Sequence, residues 1–386
     1  MFRLLRIVIL EIIIPCSCIG LLLSRFDSQV AFASCGSWSI QPHQTVSNKV
    51  TALTALTTVN ATTVWAVGNN NGQTITEAWD GTRWQLVASP NSRPYQPNFL
   101  NGIAAVAPDD LWAVGYYNAG FDQTLIEHWD GTQWSIIPSP NIKGTSNRLN
   151  AVTALSASDV WAVGYYGVST AQTLVEHYDG TQWSIIVSPN KGNEINLLHG
   201  VAADAPDDIY AVGAYENSGE GNNYQTLILH YDGTGWSVVH GPNQGTGSNW
   251  LRSITVIGGT TSFLAAGYYE NGGFTNTLIE QWNGSRWSIV PSPNAGAYNN
   301  QLYGITAPDM SNLWAVGSYS ATNGGIQTLI EHYDGAAWNI VSSPNDGLYE
   351  DDLYAVAAYA GGTVWAVGDN WTKQVGNPQA LIEFYC

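Results

Sequence analysis

Charge is what this sequence has least of. Charged residues make up 11% of it, with 12 Lys or Arg against 30 Asp or Glu, for a net charge of −18. Residues 1–33 hold three basic and two acidic side chains, so the remainder stands at −19. A surface of that sign repels phosphate backbones and anionic lipid, which excludes nucleic acid as a partner. Cysteine is scarce too: of four, Cys16 and Cys18 lie among the first 33 residues, leaving Cys35 and Cys386. No nucleophile elbow, phosphate loop or zinc-ligand spacing occurs, and no cofactor or metal is expected. Helix-forming patterns are nearly absent.

What is abundant is Gly (40), Trp (17) and Tyr (20), a turn-rich and aromatic-rich β composition. The long apolar run falls at the start, from Ile7 to Leu23, after Arg3 and Arg6 and before Ala31-Phe32-Ala33. This order is that of an export signal cleaved after residue 33. An uncleaved membrane anchor is the alternative, opposed by Glu11 and Pro15 within the run. Lipid modification of Cys35 is a third, opposed by Phe32 and by Arg25 and Asp27. The expected organisation is therefore a signal or anchor over 1–33 and one folded domain over 34–386, secreted or anchored facing outward.

That domain repeats itself. An apolar-Ala-Val-Gly phrase, aligned on its aromatic residue, falls at Trp65, Trp112, Trp161, Tyr210, Phe263, Trp314 and Trp365, at intervals of 47 to 53 residues. Seven copies of a unit of that length indicate a repeat fold. A second marker, a Trp after an Asp-Gly or Asn-Gly turn, occurs at Trp84, Trp134, Trp183, Trp236, Trp287 and Trp338. Trp38 lies 27 residues before Trp65, the spacing the other markers keep, and the final ALIEFYC breaks off where other copies run into the turn. The two chain ends thus complete one unit.

Each unit reads as four strands. In the third copy these are predicted as Leu149 to Leu155 (a), Val160 to Tyr165 (b), Thr173 to Tyr178 (c) and Gln182 to Val187 (d). Acidic turns link a to b, Asp-Gly turns link c to d, and Ser-Pro-Asn ends d as an outer edge strand. Strand b, with Val160, Trp161, Ala162 and Val163 in succession, has no polar face and needs cover on both sides. Radial stacking supplies it, which predicts an all-β, seven-bladed β-propeller of four-stranded antiparallel blades, the last closed by an N-terminal strand. The repeated aromatic would pack between blades.

An apolar strand ending in Gly, a Tyr-Asp turn and a Trp opening the outer strand resemble the kelch repeat over Trp38 to Cys386. That likeness implies a six- or seven-bladed propeller. The kelch double Gly is here Gly-Tyr, as at Gly115-Tyr116, Gly164-Tyr165 and Gly267-Tyr268, and the turn is shorter. The D-G-T-x-W turn is similar to the Asp-box of sialidase-like propellers, with different spacing.

Glu-His pairs on strand c (Glu127-His128, Glu176-His177, Glu331-His332, with His230 and Glu280 elsewhere) suggest chemistry. Rotation about the propeller axis separates equivalent residues, and alternation sends Glu and His to opposite faces, so they read as structural. A sialidase-like site needs three convergent Arg, and Arg83, Arg93, Arg148, Arg252 and Arg286 do not provide them on one rim.

The expectation is thus a non-enzymatic binding module whose partner is a glycan or an extracellular protein, in a monomer. Loops b-to-c and d-to-a vary and share one rim. A variable residue near the start of strand a, read as Thr51, Asn101, Asn150, His199, Arg252, Tyr303 and Tyr354, would ring the channel mouth, with Trp250 and Tyr349 extending the patch. A glycan-active hydrolase or lyase is the alternative, with Glu350, Asp351 and Asp352 as clustered carboxylates; a structural surface or matrix protein is the third reading. Cys386 and Cys35 take consecutive positions of one split turn, which predicts a disulfide.

Overall fold

The computed structural model describes residues 36–44, 50–93, 95–218, 223–345, 349–359, 362–371 and 377–386. The expected export segment and Cys35 lie outside these residues. Twenty-eight strands, grouped in seven four-stranded antiparallel sheets, make up the described structure, with no helix among them. Six blades are contiguous, at 51–87, 98–136, 147–185, 196–239, 249–290 and 300–341. The seventh is built from both ends: Trp38–Ile40 pairs antiparallel with Gln379–Tyr385, Trp38 opposite Tyr385. Trp183 lies opposite Tyr178 in the same way, so the N-terminal strand occupies the ordinary outer position.

The third blade shows why the repeat folds as it does. Strand a (Asn147–Ser156) and strand c (Gln172–Tyr178) flank strand b (Asp159–Tyr166), whose Val160 to Gly164 are all buried. Strand d is shorter than expected, Trp183–Ile185, and the chain then leaves the sheet toward Ser-Pro-Asn. That tripeptide also anchors the blade: Asn190 Oδ1 accepts the Thr173 amide at 2.9 Å, tying the end of strand d to the start of strand c. At the outer corner Asp179 Oδ1 accepts from the Thr181 and Gln182 amides at 2.8 and 3.0 Å, and its bonds to Thr181 and Gln182, the Thr181 hydroxyl first, hold the carboxyl down at about 2.

Seven apolar clusters, each shared by two neighbouring blades, form the core. The repeated aromatic sits in these seams. Trp161 packs edge-on against Trp236 of the next blade with centroids 5.8 Å apart, and Trp112 meets Trp183 likewise at 5.5 Å. Blade five departs from the expectation. Phe263 pairs with Trp282, the place Val160 has opposite Tyr178, so Leu264 and not Phe263 holds the seat of Trp161. The sequence alignment on the aromatic is one residue off there. Alternation turns Phe263 to the other seam, against Tyr210 at 4.6 Å. Leu264 underfills its own seam, which keeps a cavity of about 160 Å³ beside Met310, Tyr333 and Trp338.

The Glu-His pairs separate as expected. His128, His177 and His230 each bond an aspartate at the start of strand b (Asp110, Asp159, Asp208) at 2.8 Å, and His177 stacks on Trp161 at 4.1 Å. Glu77, Glu127, Glu176, Glu280, Glu331 and Glu383 are fully buried on the opposite face. They are framework, one per blade in six blades.

Candidate functional site

Strand a of every blade lines the central channel, and all seven carry a β-bulge at the same position near their start. In blade two Leu100 pairs with Gly115 and Gly102 with Val114, so Asn101 is the extra residue between them. The same slip occurs at Leu53/Ala55, Leu149/Ala151, Leu198/Gly200, Leu251/Ser253, Leu302/Gly304 and Leu353/Ala355. A bulge re-aims the side chain it adds. Here it turns Thr54, Asn101, Asn150, His199, Arg252, Tyr303 and Tyr354 into a channel cavity of about 230 Å³.

One expected member is replaced. Thr51 precedes Leu53 by two residues and is buried, in the place that Asn98 has before Leu100. Its counterparts are framework residues: Asn98 Nδ2 donates to the Arg93 and Gln96 carbonyls at 3.1 and 2.7 Å and so shapes the incoming loop. Thr54 occupies the ring.

The ring has two unlike halves. Thr54 Oγ1 donates to the Leu100 carbonyl at 2.6 Å, Asn101 Nδ2 to Leu149 at 2.9 Å, and Asn150 Nδ2 to Leu198 at 2.7 Å. Each of these bonds ties one blade to the next. At His199 the series changes. Its Nε2 accepts from Arg252 Nη1 at 3.2 Å, which leaves its proton on Nδ1, and burial together with the guanidinium holds the imidazole well below its usual pKa. The Arg252 guanidinium stands 5.9 Å from the centroids of both Tyr268 and Tyr303. Tyr303 and Tyr354 follow, with ring centroids 5.9 Å apart.

A second cavity, of about 260 Å³, adjoins the channel and shares Tyr303 and Tyr354 with it. Asn299, Gln301, Ser318 and Asp352 line its polar side. The Tyr303 hydroxyl bonds Gln301, and burial first, then the Asp352 charge, pushes that hydroxyl up to about 12. Asp352 lies opposite Asp369 in the sheet, and Tyr354 Oη donates to Asp369 Oδ1 at 3.1 Å. Burial and the facing Asp352 push the Asp369 carboxyl up to about 7. Burial raises Asp352 as well.

Trp250 packs tilted against Tyr224 at 4.2 Å and stands 6.0 Å from His199; Tyr349 is exposed in the loop before the last blade. Of the three carboxylates singled out in sequence, Asp351 is buried in the framework position of Asn98, while Asp352 faces the second cavity and Glu350 is half-buried beside it. Sequence reasoning misses Asp369. Its signal is the residue after the framework glycine of strand b, which varies between blades (Asn69, Tyr116, Ala214, Ser318, Asp369) and is not a fixed Tyr. Six of the seven exposed aromatics among the described residues, Tyr95, Phe121, Phe274, Tyr298, Tyr349 and Trp371, lie in or next to b-to-c and d-to-a connections on the same rim; Tyr359, in an a-to-b connection, does not.

Fold and channel together define a seven-bladed β-propeller with two adjoining cavities, one in the channel and one beside it. The chain matches no protein-family model and no curated protein in sequence. Among solved structures it is similar to YCF48 bound to D1 peptide, at 15% identity and TM-score 0.54, covering 92% of this chain and 98% of that one. YCF48 from Cyanidioschyzon merolae is similar at 16% and 0.54, covering 90% and 99%. A polysaccharide lyase, PL25 ulvan lyase bound to -[GlcA(1-4)Rha3S]-, is similar at 12% and 0.54, covering 88% and 95%. At these identities the likeness is one of fold.

Proposed function

We propose that this protein is an exported, kelch-like binding propeller that captures a glycan at the rim carrying His199, Arg252, Tyr303 and Tyr354. One observation carries the reading: Thr54, Asn101 and Asn150 bond the backbone of the next blade, whereas His199, Arg252, Tyr303 and Tyr354 bond side chains and line the same cavity with aromatic rings and a guanidinium. Flat aromatic faces beside amides and hydroxyls suit sugar rings. Propellers of this shape include one solved with a peptide and one solved with an acidic disaccharide, which supports a polymer ligand in general. An extracellular protein is the competing partner. Export rests on the sequence of residues 1–33.

The test is a glycan array probed with purified protein and with an Arg252→Ala, Tyr303→Ala, Tyr354→Ala triple variant. Capture by the parent, its loss in the variant and a nearly unchanged melting temperature are expected. A control belongs on the opposite rim at exposed Met310, because Asp159 and Asp208, the obvious choices in sequence, hold His177 and His230. Capture that survives the triple change and fails on Met310→Ser would move the site to the other rim.

The Asp352, Asp369 and Tyr354 group favours a second reading, a glycan-active enzyme. A carboxyl near 7 beside an ionisable partner is placed for proton transfer at neutral pH. New chain ends released from a bound glycan, and lost in Asp369→Asn, would establish it.

A further inference from the structure

Resting on the glycan reading, we infer that Arg252 is a carboxylate-binding centre and that the ligand is an acidic glycan whose uronate carboxylate docks there while its neighbouring ring lies in the adjoining cavity. Guanidinium carries five N–H donors and keeps its charge throughout the ordinary pH range. Among the described residues Arg252 forms no ion pair, and its hydrogen-bonding partner is the neutral His199. The other neighbours are the faces of Tyr268 and Tyr303. Glu270, on the strand that carries Tyr268, is turned to the Ser248 amide at 3.3 Å.

Arg148 shows what a structural arginine looks like at this rim. Its Nε and Nη2 reach Asp122 Oδ2 at 2.6 and 2.5 Å, and Nη1 reaches the Tyr165 hydroxyl at 3.2 Å. Asp122 is itself buried, so the pair is fully committed. Arg252 has the opposite arrangement: a cation on the channel wall of a chain with net charge −18, left without a carboxylate among the described residues. A planar guanidinium edge matches a planar carboxylate with two parallel bonds, and a partly desolvated site strengthens both.

The rest of the lining chooses a sugar acid over a peptide terminus. Beside Arg252 stands the face of Tyr303, with Tyr354 next to it, and beyond them lie Gln301, Ser318 and Asp352, groups that take the hydroxyls of a pyranose. The two cavities, about 230 and 260 Å³, are each below the ~300 Å³ floor typical of a small-molecule site. They share Tyr303 and Tyr354, so one ligand laid across both, at least two sugar rings long, uses the space that neither offers alone. Asp352 in the second cavity, with Asp369 across the sheet behind it, would repel a second carboxylate, which places the acid at Arg252 and a neutral ring next to Tyr354.

Isothermal titration with oligoglucuronate, oligogalacturonate and alternating uronate–neutral-sugar oligosaccharides, each beside its carboxyl-reduced counterpart, tests this. We expect an alternating acid to bind about tenfold or more tighter than its reduced form, a factor that corresponds to about 1.4 kcal/mol. Arg252→Gln should erase that preference and leave the melting temperature in place, and Arg252→Lys should restore only part of it. Equal binding of acid and reduced forms, or a preference that survives Arg252→Gln, overturns the inference and leaves the glycan reading standing. Binding confined to sulfated neutral sugars also overturns the carboxylate. If no glycan binds and a peptide with a free C-terminus does, both the inference and the glycan reading fall.

Discussion

Gly164 lies so close beneath the strand that carries Arg148 that a Cβ built on it would stand 1.9 Å from the Arg148 carbonyl oxygen. The equivalent glycines meet the same obstacle, Gly317 at the Gln301 carbonyl (1.9 Å) and Gly368 at that of Asp352 (1.8 Å). This close approach occurs beside the bulge that aims the ring residue inward, so the glycine that looks like a packing residue is what permits the site. Gly317→Ala is expected to cost about 3 kcal/mol or more in denaturant unfolding, since the obstacle is backbone and cannot rotate away. It should also weaken ligand binding by displacing Tyr303. Gly235→Ala is the control: nothing stands within 4 Å of its added Cβ, and stability should barely change.

Leu264 gives a prediction of the opposite sign. It holds the seat that Trp161 fills in blade three, next to a cavity of about 160 Å³. Leu264→Trp should raise stability by about 1 kcal/mol, in the range that cavity filling delivers. Trp161→Ala should lower it by about 3–5 kcal/mol. Thermal and chemical denaturation read both; a lower midpoint for Leu264→Trp would show that the seam between blades five and six cannot accept an indole.

The buried glutamates set the pH dependence. Burial pushes the carboxyls of Glu127, Glu176 and Glu383 up to about 8, and raises Glu280 and Glu331 strongly as well. Between the ordinary glutamate range near 4.5 and about 8, the folded protein holds these protons and the unfolded chain does not. Stability contributed by the neutral carboxyls is therefore complete below that window and declines as pH rises through it, by up to about 1.4 kcal/mol per pH unit for each such group. The melting temperature should fall from pH 5 to about 8. Glu176→Gln, neutral at every pH, should make the slope shallower; an unchanged slope would mean that the seams are wet enough to hold the charge.

The chain ends provide the fourth test. The Gly36 amide donates to the Cys386 carbonyl at 2.7 Å, so the first described residue meets the C-terminal one. We expect a Cys35–Cys386 disulfide in exported protein, read by intact mass with and without reductant. Chain entropy for a loop of roughly 350 residues gives an upper limit of about 5–6 kcal/mol, and Cys35→Ser should lower the melting temperature. Two alkylatable thiols in non-reduced protein would contradict it.

Most of the fold is legible without coordinates because its causes are local and repeated. The period, the Asp-Gly hairpins, the doubly apolar strand b and the complementary chain ends each follow from spacing and alternation. Those features lead to seven blades and to Trp38 opposite the last strand. Local reasoning fails where one residue of slip matters. Phe263 and Leu264 are both apolar, and only pairing with strand c shows which faces which seam. Thr51 and Thr54 are the same residue type, and only the bulge after Leu53 decides that Thr54 reaches the channel. The division of the ring is invisible in sequence as well. Whether an amide is spent on the next blade's carbonyl, as Asn101 is, or a guanidinium stands open, as Arg252 does, depends on distances between residues some fifty positions apart. Asp369 reaches about 7 because the sheet sets Asp352 across from it and burial withholds water from both, a condition that neither residue carries alone.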